Sequence, residues 1–294
     1  MWTKEIEREQ VLDAVDEVDD FIDRTAPAVE NAGRTPAPVR LREDQRNRLL
    51  TRVLEEVTIP TIPEGKFPGL DIRSVTAISR LRRIIGSDFC DVFRLPGGST
   101  AVILGEIVGS SGIVPLQIPQ IKFGMRALLV ESSSASRALT AINRWMCAER
   151  ASARAIRAFA RLAVVVFDHQ SDWVDVSVAG AESPIVVTGF GCVGAVDIVG
   201  LPLGIDADYL YDSAAFRQGI GDTLVMTTNG ITNARHNGVL LGYEGAKALI
   251  QSGAKLADSE YGVARYVMEG AVAYAGGELG DNATVVSVQR VAAE

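Results

Sequence analysis

The chain has 294 residues, enough for one large domain or a domain with an appendage. Hydrophobic residues make up 47% of it, which supplies a sizeable core and excludes a disordered chain. The formal net charge is -8, from 29 basic and 37 acidic side chains; this argues against nucleic acid as a partner, whose binding leaves a basic footprint, and suits a cationic surface or divalent metals better.

Residues 4–24 are acidic and periodic, with Val11, Val15, Val18 and Ile22 on one face of a helix. That stripe is as narrow as a coiled-coil seam. A helix packed on its own domain and a helix that builds a homodimer both stay open. Pro27, Gly33, Pro36 and Pro38 mark a linker over 25–38. A second helix is predicted from about residue 40 to 57, carried by Leu49, Leu50, Val53, Leu54 and Val57. The Ile59-Pro60 and Ile62-Pro63 steps end it, because a residue before proline is pushed out of the helical region.

From Gly69 onward, short apolar runs alternate with Gly, Asp and Asn turns. Runs at 102–104, 162–167, 174–178, 185–187, 224–226 and 285–288 predict strands, many of them β-branched. One helical patch carries Ile121, Met125, Leu128 and Leu129 and continues through Leu139, Ile142 and Met146. Another holds Leu249 and Ile250, then Val263, Val267 and Tyr274. Strands in two groups, with helices between and after, predict an α+β sandwich rather than a parallel βαβ array. The expected division is an N-terminal helical and linker region, 1–69, and a larger domain, 70–294.

The supply of chemical groups narrows the function. Cys90, Cys147 and Cys192 are widely spaced and form no Cys-x-x-Cys pair, against a structural zinc or a disulfide framework. His169 and His236, the two histidines, fall in polar turn-like stretches and leave a histidine metal site or a Ser-His-Asp triad poorly supplied. The opening Met1-Trp2-Thr3-Lys4-Glu5 lacks the layout of a signal peptide, and no apolar run has the length of a bilayer span. A cytoplasmic protein without membrane contact is expected. Gly189-Phe190-Gly191-Cys192-Val193-Gly194 matches the dinucleotide pattern G-x-G-x-x-G, but residues 195–199 read as another strand where that fingerprint needs a helix. A glycine-rich hairpin loop is expected there.

Acidic residues beside glycine recur at strand ends, in Gly86-Ser87-Asp88-Phe89-Cys90-Asp91, Gly105-Glu106-Ile107-Val108-Gly109 and Gly280-Asp281-Asn282-Ala283-Thr284. Scattered carboxylates without histidine are what hard cations such as Mg²⁺ and Mn²⁺ take as ligands. Ordinary turn chemistry is the alternative for each motif taken singly. In order along the chain, however, they resemble the SpoIIE/RsbU branch of PPM-type (protein phosphatase 2C-like) phosphatases over residues 45 to 294. The first resembles G-G-D-F-Y-D and the second G-D-V-S-G. Ala179-Gly180 with Pro184 resembles A-G-H-x-P, and Gly200-Leu201-Pro202-Leu203-Gly204 resembles G-x-P-L-G. Gly221-Asp222-Thr223-Leu224-Val225-Met226 with Thr228-Asn229-Gly230-Ile231-Thr232 resembles G-D-x-L-(L/V)-x-Y-T-D-G-V-T, and residues 281–286 the closing D-(D/N)-x-T strand.

The resemblance implies two antiparallel sheets flanked by helices, an αββα sandwich with an N-terminal helical extension here. It further implies a two-metal Mn²⁺ or Mg²⁺ site that hydrolyses phosphoserine and phosphothreonine on proteins. The substrate implied is a phosphorylated regulatory protein such as a STAS-type anti-sigma-factor antagonist, with regulation transmitted by the upstream helices. Carried over, the metal ligands are Asp88, Glu106, the carbonyl of Ile107, Asn229 and Asp281. Glu106 and Asn229 stand where the family has aspartate. The first adds a methylene; the second removes a charge that would offset a dication. Asn229-Gly230 is also the preferred pair for a tight hairpin turn. Ala181 replaces a usual histidine and Arg161 a usual threonine.

Two functions therefore compete: a metal-dependent phosphatase, and a pseudophosphatase that binds its partner without turnover. A purely structural dimerisation module resting on 11–22 is a third, which explains nothing after residue 70. An arginine or lysine reaching into the metal position favours the pseudophosphatase, and Arg161 is the candidate for it.

Overall fold

The computed structural model describes residues 67–79, 87–109, 114–150, 158–254 and 262–292. Both predicted N-terminal helices, with any homodimer built on them, and the 25–38 linker lie outside the described residues.

The domain begins with three strands, β1 (Leu70–Ala77), β2 (Asp88–Arg94) and β3 (Thr100–Val108). Two helices follow, α1 (Val114–Ser132) and α2 (Ala135–Arg150). Next come β4 (Phe159–Phe167), β5 (Trp173–Ala179), β6 (Ile185–Val187), β7 (Val193–Ala195), β8 (Ala214–Arg217) and β9 (Thr223–Thr227). A short helix α3 (Asn229–Thr232) and a small hairpin, β10 (Arg235–His236) with β11 (Val239–Leu240), lead to α4 (Gly242–Ala254), α5 (Gly262–Tyr274) and the long β12 (Ala283–Arg290).

Two five-stranded sheets result, in the orders β1-β12-β9-β6-β7 and β2-β3-β4-β5-β8, and every pairing in them is antiparallel. The α+β expectation of two antiparallel sheets with helices holds.

Strand periodicity sets the layers, because successive side chains point to opposite faces. On β3 and β4, Ile103, Leu162 and Val164 pack with Ile121, Met125, Leu139 and Ile142 of α1 and α2. The alternate residues Val102, Leu104 and Val165 pack instead with Leu224, Met226, Val286 and Val288 of the other sheet. On that sheet Val225 and Val285 turn outward to Ile250, Val263 and Val267 of α4 and α5. Each sheet is therefore covered on both faces, and each fully buried Leu, Ile, Val or Phe contributes about 1.5–3 kcal/mol.

Three local outcomes differ from the sequence expectations. The helical patch through residue 146 is two helices, broken where Ser133 takes φ 48°. The new N-terminus at Ala135 is capped by the Asp175 carboxylate of β5, which accepts its amide at 3.1 Å and satisfies one of the orphan donors there. Strands β1 and β8 were not anticipated. Both are sheet edges with half-exposed polar positions, so neither forms an apolar run. The glycine-rich segment is the expected hairpin, closed by Thr188 N to Cys192 O at 2.9 Å, but its return strand is 193–195 rather than 195–199. Val196 N still bonds Pro184 O at 2.8 Å in the same register, but Pro184 has no N–H to return a bond, and the ladder ends there. All three cysteines are free. Among the described residues no helix is long and apolar enough to cross a membrane.

Candidate active site

The inter-sheet layer changes character along its length. Register across β2, β3 and β4 stacks three rows on this face: Val92–Val102–Val165, Cys90–Leu104–Ala163 and Asp88–Glu106–Arg161. The first two rows belong to the apolar layer. The third is fully ionisable, although Asp88 and Glu106 are each only 5% exposed.

The opposite sheet meets this row with the end of β9 and the start of β12. Thr228, two residues beyond Met226, donates its hydroxyl to Asp88 Oδ2 at 2.7 Å. The same hydroxyl accepts the Thr284 amide at 2.9 Å, so one side chain ties both sheets together at the acidic end. Asp281 accepts the Asn282 amide at 2.9 Å, and buried Asn282 accepts the Ser79 amide at 2.9 Å, anchoring the loop before β12. Ile107 follows Glu106 on β3, and its amide donates to Ser87 O at 2.9 Å.

Two glycines of the motifs have steric reasons. Gly105 pairs with Phe89 across β2–β3, and a Cβ there would lie 2.5 Å from the Phe89 ring. At Gly230 a Cβ would lie 1.9 Å from the Asn282 carbonyl oxygen. Asn229-Gly230 is not the hairpin turn its composition predicts. It opens α3, with Asn233 N bonded to Asn229 O at 2.7 Å, because this close approach to 282–283 holds the chain against β12.

The carboxylates are electrostatically crowded. Burial raises Asp88 to about 6, with Asp281 adding to the rise and the Thr228 hydroxyl opposing it. Burial also raises Glu106 to about 7; the Asp88 charge adds to this, and Arg161 only partly offsets it. Arg161 Nη1 lies 3.3 Å from Glu106 Oε2. By contrast Asp91, on the other face of β2, is held by Arg126 of α1 through two bonds of 2.5 and 2.6 Å, with Lys122 at 3.9 Å, and takes no part in the row.

A cleft of about 430 Å³ opens here, with Glu106, Arg161, Glu182, Thr228, Asn229 and Asn233 among its walls. Of the five residues singled out from sequence, Glu106 and Asn229 line it. Asp88 joins through Thr228, Asp281 acts on both acids by its charge, and Ile107 is buried beside Glu106. Thr228, Glu182 and Asn233 were not singled out. The period-2 series 224, 226, 228 pointed to Thr228, whereas no sequence signal pointed to Glu182, which accepts the Thr232 hydroxyl at 2.8 Å.

This donor set does not fit two dications. Among the described residues no three carboxylate, imidazole or thiolate groups converge as metal ligands do. Glu106 Oε2 is engaged by a guanidinium, and residue 229 offers a neutral amide, which brings no charge to offset a second dication.

Comparison with known proteins places the domain. The family described as Stage II sporulation protein E (SpoIIE) matches residues 96–291. No curated protein matches the sequence significantly. Among solved structures, the RsbU and RsbW domains of Rv1364c from Mycobacterium tuberculosis are similar at 20% identity and TM-score 0.64, over 78% of this chain and 62% of that one. The PP2C phosphatase domain of SpoIIE from Bacillus subtilis, with a fragment of its regulatory domain, matches at 17% and 0.60, over 75% and 63%. The SiaA-PP2C domain of Pseudomonas aeruginosa matches at 13% and 0.68, over 86% and 99%. At these identities the likeness is one of fold, and the chain spans less than two thirds of the first two structures. The family match covers more than half of the sequence and takes in Glu106, Arg161 and Asn229: the chain belongs to the SpoIIE family, and its domain has the fold of PP2C phosphatase domains.

Proposed function

We propose that this domain is a catalytically impaired member of its family, which binds a phosphorylated regulatory protein, of the STAS-type antagonist class, without efficient turnover. The observation that carries the reading is the Arg161–Glu106 pair, because Glu106 stands where the family resemblance puts the ligand shared by both metals. Loss of charge at a two-metal site lowers rates by orders of magnitude, and Asn229 adds to that loss. The partner class is supported by the fold likeness to a structure that contains RsbU and RsbW domains. The domain boundary near residue 70 belongs to the same reading, since Phe67 and Leu70 pack into the inter-sheet layer.

The test is the initial rate of p-nitrophenyl phosphate and phosphoserine-peptide hydrolysis against Mn²⁺. The native chain is expected to be silent, and the triple variant Glu106→Asp, Arg161→Thr, Asn229→Asp to gain a Mn²⁺-dependent rate. A saturable Mn²⁺-dependent rate in the native chain, abolished by Asp88→Asn, would overturn the reading.

A second reading is a slow Mn²⁺- or Mg²⁺-dependent phosphatase in which Asp88, Glu106, Ile107, Asn229 and Asp281 hold metal. It is favoured by the buried Asn229 Oδ1, an acceptor without a donor, which a cation would satisfy. The same hydrolysis assay separates the two.

A further inference from the structure

We propose that Arg161 is the resident cation of this site: its guanidinium takes the place of a divalent metal at Glu106, so that the acidic end of the domain holds together without metal and excludes Mn²⁺ and Mg²⁺ from that carboxylate. This extends the impaired-phosphatase reading from what the site does not do to how it stays folded.

Backbone register delivers the arginine. Glu106 and Arg161 are directly opposed in the β3–β4 ladder, so their side chains leave the same face of neighbouring strands. No long reach across the cleft is needed, and the Nη1–Oε2 separation is 3.3 Å. The pair is lopsided in exposure: the Glu106 side chain is 6% exposed and the Arg161 side chain 31%. The guanidinium therefore covers a buried carboxylate from the cleft side, which is the side an ion from solvent must use. Arginine is well suited to this, since it stays charged at every accessible pH and is more weakly hydrated than an ammonium group.

The formal charge of the site points the same way. Four carboxylates at positions 88, 106, 229 and 281 would carry -4. Here three carboxylates carry at most -3, when all are ionised, and Arg161 carries +1, which leaves a formal -2. The changes at 229 and 161 act with the same sign, and each removes attraction for dications. Crowding remains, because Asp88 and Glu106 are directly opposed across β2 and β3 beside the guanidinium. Removing one partner of a buried pair leaves its mate uncompensated, so loss of the guanidinium should be felt by the whole fold.

The experiment measures metal binding and stability and uses no hydrolysis. Thermal unfolding of the full chain is followed in EDTA and in Mn²⁺, and bound Mn²⁺ is counted by electron paramagnetic resonance. The native chain is expected to show the same Tm in both conditions and no bound Mn²⁺. Arg161→Thr is expected to lose several degrees in EDTA, to recover them in Mn²⁺ and to bind the ion. Arg161→Lys keeps the charge and should behave as the native chain does, while Glu106→Gln added to Arg161→Thr should restore Tm without metal. Mn²⁺ binding by the native chain as tight as by Arg161→Thr overturns the proposal, and needs no variant to fold. An Arg161→Thr Tm in EDTA equal to the native value overturns it as well. Mn²⁺ binding by the native chain without hydrolysis would remove the resident cation and leave the impaired-phosphatase reading standing; Mn²⁺-dependent hydrolysis by the native chain would remove both.

Discussion

On β3 the inward series Val102, Leu104 ends in Glu106; on β12 the inward series Val286, Val288 ends, at the opposite end of the same layer, in Arg290. Both ends bury charge, but they satisfy it differently. Arg290, 4% exposed, gives Nη1 and Nη2 to the Asp168 carbonyl at 3.3 Å each, and Nη1 also lies 3.3 Å from the Asp172 carboxylate. Gln218 beside it donates to the carbonyls of Val288 and Asp222 at 2.9 Å. These partners are mostly main-chain groups fixed by strands and turns. At the other end the acids face one another; Asp88 and Glu106 are tempered by the side chains of Thr228 and Arg161, and Asp281 by the Asn282 amide. A buried charge met by backbone is architecture, whereas buried charges of one sign left facing each other mark a site.

The difference can be broken most severely at Gly230. A methyl there meets the Asn282 main chain, which cannot yield as a side chain would. Gly230→Ala is expected to destabilise by about 3 kcal/mol or more in urea unfolding, since overpacking against backbone lies at the upper end of such effects. At the far end Arg290→Ala is expected to lose about 2 kcal/mol, the size of charge-assisted hydrogen bonds given up.

Acidity sharpens the comparison. The folded-state values of Asp88, about 6, and Glu106, about 7, lie above those of unfolded carboxylates, so the folded chain binds more protons between pH 4 and 7. Stability from these groups is therefore greatest in acid, falls as pH rises from about 4 to about 7, and levels off above. A Tm profile from pH 4 to 9 should show that fall, on the order of several degrees. In Glu106→Gln the fall should shrink, because one of the two carboxylates that burial raises is gone. Asp172→Asn, whose side chain is 61% exposed, should change stability by less than about 0.5 kcal/mol at any of these pH values.

The sequence carried the fully buried strands well. Residues 162–167 and 285–288 are valine-rich runs because both faces are covered, and such runs are visible without any partner. β1 was invisible, since Asp71, Arg73 and Ser74 interrupt it and its pairing with β12 is made by residues more than 200 positions away. The acidic motifs were legible as words in order, and Arg161 stood out as a departure. What no word carried was the row: Asp88, Glu106 and Arg161 become neighbours only through two registers set by hydrophobic pattern over whole strands. Asn229-Gly230 misled for the same reason. Its local preference is a hairpin turn, and tertiary contact with 282–283 overrides it to start a helix.

Strand β12 lies between β1 and β9, yet it is made last among the described strands. A chain emerging from the ribosome can complete the β2-β3-β4-β5-β8 sheet once residue 217 is out, with Asp88 and Glu106 already side by side. Until residues 283–290 follow, β1 and β9 have no strand to join them, and Thr228 lacks the Thr284 amide that fixes it. Translation order thus separates making the acidic row from closing over it. At the usual pace of synthesis, that leaves several seconds in which a half-built layer of Leu104, Val165 and Leu224 faces water and is open to chaperones.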